Sequence, residues 1–414
     1  MSKIHFLQVK HGDAFIVECD RGGNHGVVVV DGGPVICSKA FMAKMEELET
    51  PDLMVLTHYD DDHIGGLLKY FGACWKAGRV PAKEVWANCT GWDAKVVKEG
   101  VEKDGKISAI TPRSILQAVN LSAELSKCVS KYGTVWESRV IEGFVREFPF
   151  ASIEVLSPTE EFWEETRDKM EKEGAAKALA VRKMEVDPLK IPLDKLAQEH
   201  SPKAPNIKTA SELANGSSIA LVLRCDDLSI LMLGDCYPHN VEAWLRSKGY
   251  SEENPLVVDY VKVAHHGSKH NTNNALLDII RCNHYIISTD GDKFKHPDRQ
   301  SIAHILCHPC RNRKETVHLY FDYPMEELVA NRGAFLNDGE LEQWNAVLHD
   351  GVTEIEPLPT AADSSLPAAP DAPSSSPGHP GSVLDPAFLD TLIAQAKALL
   401  HSLETAKAQL EGKD

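Results

Sequence analysis

The sequence has no apolar run long enough to span a bilayer, and its start, Met1-Ser-Lys-Ile-His-Phe, lacks the hydrophobic region of a signal peptide. No internal repeat is visible, which sets aside solenoid and propeller architectures. Positive charge is in short supply: 44 Lys and Arg stand against 61 Asp and Glu, for a formal net charge of −17. That balance argues against a protein that coats duplex DNA with a broad basic surface. It leaves room for a nuclease whose substrate phosphates are met mainly by metal ions. The ten cysteines are scattered rather than framed, so they read as reduced thiols and not as a disulfide scaffold. A soluble cytoplasmic protein is expected. The apolar content of 43% is that of a globular chain, and 414 residues can hold one core with long insertions.

The chain is organised around Leu56 to Gly66, Leu-Thr-His-Tyr-Asp-Asp-Asp-His-Ile-Gly-Gly. Leu53, Met54, Val55 and Leu56 form a short apolar run, the signature of a buried strand. Four potential ligands follow at once: His58, Asp60, Asp62 and His63. Gly65 and Gly66 then open an apolar segment that reads as a helix over 64–77. Ligand-bearing side chains bunched between a strand's carboxyl end and a helix amino-terminus suit an anion held on metal. A solvated acidic turn explains the three aspartates alone; it does not explain a histidine on each side.

This stretch resembles the His-x-His-x-Asp-His signature of the metallo-β-lactamase fold superfamily, with Asp60 in place of the second histidine. That variant is similar to the branch containing the hydrolase domain of the bacterial DNA-uptake channel, the competence family. The resemblance implies an α/β fold, the αββα sandwich of two mixed sheets flanked by helices. It covers roughly 3–70, 147–158 and 215–300. Exchanging an imidazole for a carboxylate hardens the first metal position, so manganese gains relative to zinc.

Taken in order, 3–9, 14–19 and 26–30 read as strands joined by hairpins. The resemblance gives Asp31 a supporting role in the metal loop; Asp13 reads first as a turn-stabilising carboxylate. Strands are expected at 85–88, 147–156, 217–223, 228–233, 257–263 and 285–289, and a helix at 111–131. Residues 159–212, dense in charge and proline, read as a helical insertion. The family pattern makes Asp235 the metal-bridging carboxylate and gives Asn215 a place where relatives carry a further histidine. His265 and His266 follow a buried strand, where each ring nitrogen needs a partner; at least one is expected to ligate, and the sequence does not say which. Ser268 and Lys269 are placed to meet a phosphate, and His296 is either a last ligand or the proton donor. The Cys307-His308-Pro309-Cys310 run, lacking a second ligand pair, reads as structural.

The hydrolase-like domain is assigned to 1–354, a Pro/Ala/Ser-rich linker to 355–383 and an amphipathic helix for self-association or partner docking to 384–414. Together His58, Asp60, Asp62, His63, Asp235 and His265/His266 are expected to hold two divalent ions, zinc or manganese. Asp62 then accepts a proton and His296 or Lys269 assists the leaving oxygen. The resemblance implies a phosphodiesterase or nuclease acting on nucleic acid or nucleotide. Two alternatives stand beside it: a hydrolase of a small ester, lactone or thioester, and an interaction or sensor subunit of a larger assembly such as a bacterial defence complex.

Overall fold

The computed structural model describes residues 1–89, 113–173, 189–198 and 210–359. The docking helix at 384–414, nearly all of the linker and much of the 159–212 insertion therefore lie outside the described residues. No described helix is long and apolar enough to cross a membrane.

Strict alternation builds the sheets. In Val27-Val28-Val29-Val30, the even-numbered valines face one core cluster and the odd-numbered ones another, as a period of two demands. The strands are β1 (Lys3–Phe6), β2 (Phe15–Arg21), β3 (Asn24–Val30), β4 (Leu53–Leu56), β5 (Glu84–Ala87), β6 (Val135–Glu137), β7 (Val145–Glu147), β8 (Ser152–Ser157), β9 (Ala220–Arg224), β10 (Ser229–Met232), β11 (Leu256–Val257), β12 (Tyr260–Lys262), β13 (Ile280–Arg281), β14 (His284–Ile287), β15 (Val317–Phe321), β16 (Ala346–His349) and β17 (Glu354–Ile355). Among the described residues one sheet runs β17-β1-β2-β3-β4-β5-β6 and the other β16-β15-β14-β12-β10-β9-β8-β7, with β11 and β13 paired separately. Both large sheets are mixed. The first is antiparallel from β17 to β3 and parallel from β3 to β6; the second is parallel from β16 to β10 and antiparallel beyond.

One core lies between the sheets, with Phe6, Phe15, Val55 and Trp86 meeting Val155, Leu221, Ile230 and Ile286. A second covers the outer face of the first sheet under helices Ser38–Glu46, Asp61–Ala77 and Arg113–Tyr132. A third covers the second sheet under helices Pro238–Ser247 and Arg299–Cys307. This is the αββα sandwich.

Several boundaries differ from the sequence reading. The expected strand at 147–156 is a hairpin of β7 and β8, and 257–263 is divided between β11 and β12. The helix placed at 64–77 begins at Asp61, so Asp62 and His63 lie in its first turn. The first sheet takes in Ile355, paired with Ile4, although that residue had been given to the linker. Within the insertion, Leu193, Leu196 and Ala197 are buried in the third core, so this part is packed and not solvated surface.

Close backbone approach fixes the helix Asp61–Ala77 against the loop after β3. The Gly66 amide donates to the Gly33 carbonyl at 2.9 Å, and the Gly32 amide donates to the His63 carbonyl at 2.8 Å. A Cβ on Gly66 would stand 1.9 Å from the Gly32 carbonyl oxygen. Gly66→Ala is therefore expected to lose about 3 kcal/mol or more, since the obstacle is backbone that cannot rotate away. A denaturant midpoint unchanged by the substitution would refute this.

Across β14, β15 and β16, His284 and His318 stack at 4.6 Å, and His318 Nδ1 lies 2.9 Å from His349 Nε2. Burial, and then His318, push the His284 imidazole down to about 4 from an ordinary 6.5. The folded chain then binds fewer protons than the unfolded chain between those values. The contribution is complete above pH 6.5 and lost as pH falls toward 4. His284→Gln should give a shallower fall in melting temperature between pH 7 and 5; an identical slope would count against it.

Candidate metal centre

The loops after β3, β4, β10, β12 and β14 gather at one edge of the sandwich, and the hairpin loop between β1 and β2 joins them. Backbone bonds tie them together: Asp13 N donates to Asp62 O at 3.1 Å, and Gly33 N donates to Asp13 O at 2.8 Å. His58, Asp62, His63, Asp235 and His266 are all buried at this edge, along with Asp13 and Asp31.

Asp235 is the centre of the arrangement. Its Oδ2 is faced by three imidazole Nε2 atoms: His265 at 3.5 Å, His63 at 3.6 Å and His58 at 3.7 Å. Around a tetrahedral ion with ligands at about 2.0–2.1 Å, neighbouring donor atoms stand about 3.3–3.4 Å apart. His58 Nε2, His63 Nε2, His266 Nε2 and Asp235 Oδ1 are buried without a hydrogen-bond partner. Orphaned polar atoms of this kind cost free energy unless something completes them. Donor atoms of Asp13, His63, Asp235 and His266 all fall within 4.8 Å of one another. The residues present fit a divalent cation.

Each ring is oriented from its other nitrogen. His63 Nδ1 lies 2.8 Å from Asp31 Oδ2, and the same carboxylate accepts from the Thr57 amide at 2.8 Å and its hydroxyl at 2.7 Å. Asp31 reaches this position with a left-handed backbone, φ 60°. His58 Nδ1 is 3.1 Å from Thr57 Oγ1. His266 Nδ1 is 2.9 Å from the Ser288 carbonyl and 3.3 Å from Asp13 Oδ1, and its Nε2 stands 4.0 Å from Asp62 Oδ2. His265 Nδ1 is 3.1 Å from Asn271 Oδ1, whose amide donates to the Asp235 carbonyl at 2.9 Å. Both histidines of the pair thus turn Nε2 inward. They do so on left-handed backbone, φ 48° and 54°, a strained turn of the kind that clusters at functional sites.

Asp60 sits at the N-cap position of its helix and is half-buried. Asn215 Nδ2 is 3.4 Å from His265 Nδ1. Ser268 is buried, its hydroxyl accepting from the His270 amide at 3.3 Å, so it faces its own turn. The Lys269 amide donates to Asp298 Oδ2 at 2.9 Å, and His296 Nδ1 lies 3.5 Å from the same carboxylate. Outward from His265, ring centroids step 5.4 Å to His296, 6.3 Å to Phe294 and 5.5 Å to His11, whose Nε2 is 3.3 Å from Lys293 Nζ.

Lys262 was not singled out from the sequence, though a lysine inside a buried apolar strand is a signal. Its ammonium, fully buried, donates to Asp13 Oδ2. Burial alone would raise the Asp13 carboxyl, but Lys262 and His266 outweigh it and hold the group well below the usual carboxylate range. Burial pushes His58 down to about 3 and His265 to about 4, so both rings are neutral and able to ligate at pH 7. Burial opposes protonation of His63 too, but Asp235 and Asp31 overcome it and raise that ring well above the ordinary value. The Asp235 carboxyl, against the same desolvation, is held well below its own by His265 and His63.

Residues 8–112 match the family model described as the metallo-beta-lactamase superfamily. The chain carries a metallo-β-lactamase superfamily domain. Solved structures similar to it include a diphosphatase of the PhnP family, at 12% identity and TM-score 0.35, covering 86% of this chain and 98% of that one. Zn²⁺-bound PqqB from Methylobacterium extorquens matches at 11% identity and TM-score 0.37, covering 86% and 100%. A metallo-beta-lactamase with an HARLDQ motif from Cronobacter sakazakii matches at 11% identity and TM-score 0.26, covering 61% and 74%. No curated protein matches the chain. The matched stretch takes in β2 to β5 and the His58–His63 loop; Asp235 and the His265-His266 pair lie beyond it in the chain.

Proposed function

We propose that this protein is a metal-dependent phosphodiesterase acting on nucleic acid or nucleotide. The observation that carries the reading is the Asp235 carboxylate ringed by three inward imidazole nitrogens at 3.5–3.7 Å, with no partner for His58 Nε2, His63 Nε2 or Asp235 Oδ1. His58, His63, Asp235 and His265 would hold one divalent ion, and Asp62 with His266 would hold a second, zinc or manganese. Bound there, such ions polarise a phosphoryl oxygen and make water acidic enough to attack near neutral pH. Asp62, its carboxyl lowered despite burial by His63 and His266, stays ionised and can accept a proton at Oδ2. His296, with Nδ1 3.5 Å from Asp298 Oδ2, would return a proton to the leaving oxygen. Lys293 and Lys295 lie on the loop that carries His296, and Lys269 on the loop that carries His265 and His266, in a chain whose net charge is −17. Phe294, half-buried, offers a face on which a base can stack.

The test is turnover of bis(p-nitrophenyl) phosphate and of single-stranded DNA by protein loaded with Mn²⁺ or Zn²⁺. Chelation should bring the rate to background, and adding the metal back should restore it. Hydrolysis of a lactone or thioester with no phosphodiester turnover would transfer the reading to the small-ester class.

A further inference from the structure

The Cys307-His308-Pro309-Cys310 run comes apart into two roles. Cys307 ends the helix Arg299–Cys307 and is buried in the core of the second sheet. His308 follows with an extended backbone, and a turn closed by the Arg311 amide on the His308 carbonyl at 3.2 Å presents Cys310 at the surface. Proline at the second position of that turn suits its fixed φ. Both side chains meet Asp278, the residue that ends the short helix Asn274–Leu277. His308 Nε2 is 2.9 Å from Asp278 Oδ1, and Cys310 Sγ is 3.6 Å from the same oxygen. The donor atoms of all three lie within 4.8 Å of one another.

We infer that Asp278, His308 and Cys310 form a second, separate metal site that takes a soft divalent cation of the zinc class, with water completing a tetrahedron. The donor chemistry points to that class: one thiolate, one imidazole and one carboxylate exclude magnesium and calcium, which take oxygen ligands, and suit zinc, cobalt or cadmium. In a tetrahedron with ligands at about 2.3 Å for sulfur and 2.0–2.1 Å for nitrogen and oxygen, sulfur and oxygen stand about 3.5 Å apart and nitrogen and oxygen about 3.3 Å. The sulfur–oxygen spacing already matches. The His308–Asp278 pair has to open by a few tenths of an ångström, exchanging its hydrogen bond for two bonds to the ion. Charge closes as well, because thiolate and carboxylate together neutralise a dication. Without the ion they would repel, and burial together with Asp278 raises the Cys310 thiol. Binding therefore releases one proton, from Cys310, while neutral His308, whose Nε2–H donates to Asp278 Oδ1 at 2.9 Å and faces the Asn274 carbonyl at 3.3 Å, moves its proton to Nδ1 so that Nε2 can ligate. The site would staple the carboxyl end of the Arg299–Cys307 helix to the segment that follows Asn271.

The Asp235 centre has no cysteine among its converging donors, so Co²⁺ separates the two sites. Full-length protein titrated with Co²⁺ should develop thiolate-to-metal charge-transfer absorption and bind one more equivalent than the Cys310→Ser variant, which should show no such band. His308→Ala should weaken that absorption titration at least tenfold. Cys310→Ser should leave hydrolysis at the Asp235 centre within twofold, and the band should persist in Asp235→Asn. Equal cobalt stoichiometry in parent and Cys310→Ser, or a band that survives Cys310→Ser and disappears with Cys236→Ser, would overturn the assignment.

Discussion

Asp235→Asn is expected to lower kcat on phosphodiesters by on the order of 10³-fold and to reduce bound metal. The size follows from the charge being removed. Metal polarisation of a phosphoryl oxygen contributes several kcal/mol to transition-state stabilisation, and each 1.36 kcal/mol is worth about tenfold in rate. A loss of about 4 kcal/mol is therefore about 10³-fold. Asparagine keeps the shape but takes away the anion that three imidazole nitrogens face at 3.5–3.7 Å. The matching readout is metal content: a variant holding its full metal complement with a rate within tenfold of the parent would refute the central role of Asp235.

Lys262→Met is expected to destabilise the folded chain by about 3–5 kcal/mol, the cost of leaving a buried charge without its partner. The charge left behind is Asp13, which is 2% exposed and also faces His266 Nδ1 at 3.3 Å. Asp13 has its carboxyl held below the ordinary 3.8 in the fold. Its contribution is present above that pH and lost as pH falls below it. The gap between parent and variant should accordingly narrow in acid, where Asp13 in the variant protonates. Adding Asp13→Asn to Lys262→Met should recover part of the loss, because a neutral buried pair can be nearly as stable as an ionic one. Urea unfolding at pH 7 and again below the ordinary 3.8 measures all of these. A loss under 1 kcal/mol, or a gap that widens in acid, would show that the pair is not the buried ion pair described. Metal affinity should fall about 10–100-fold as well, since Asp13 orients His266.

His58, Asp62 and His63 were legible because they crowd into six residues between a strand and a helix, and His265-His266 because two adjacent histidines have no ordinary place after a buried strand. Asp31 was legible only through the resemblance. Asn271 was not legible because a single polar loop residue carries no sign of what it will face; Lys262 carried a sign, a lysine inside an apolar strand, but nothing local named Asp13 as its partner. The helix start at Asp61 was missed because three aspartates read as a turn, whereas their charge is also what a helix amino-terminus favours.

By itself the sequence determined the alternating strands and the short stretches that carry ligand-type side chains, since these are periodicities or local patterns; the αββα class followed only from the resemblance those stretches carry. Tertiary structure alone decided that Asp235 collects nitrogens from two far-separated segments, the one after β4 and the one after β12, that both His265 and His266 turn Nε2 inward, and that Cys307 and Cys310 part company. Which atoms converge depends on how far-separated strands stack and how closely glycine lets backbones approach. Those are distances between segments, and local sequence does not encode them.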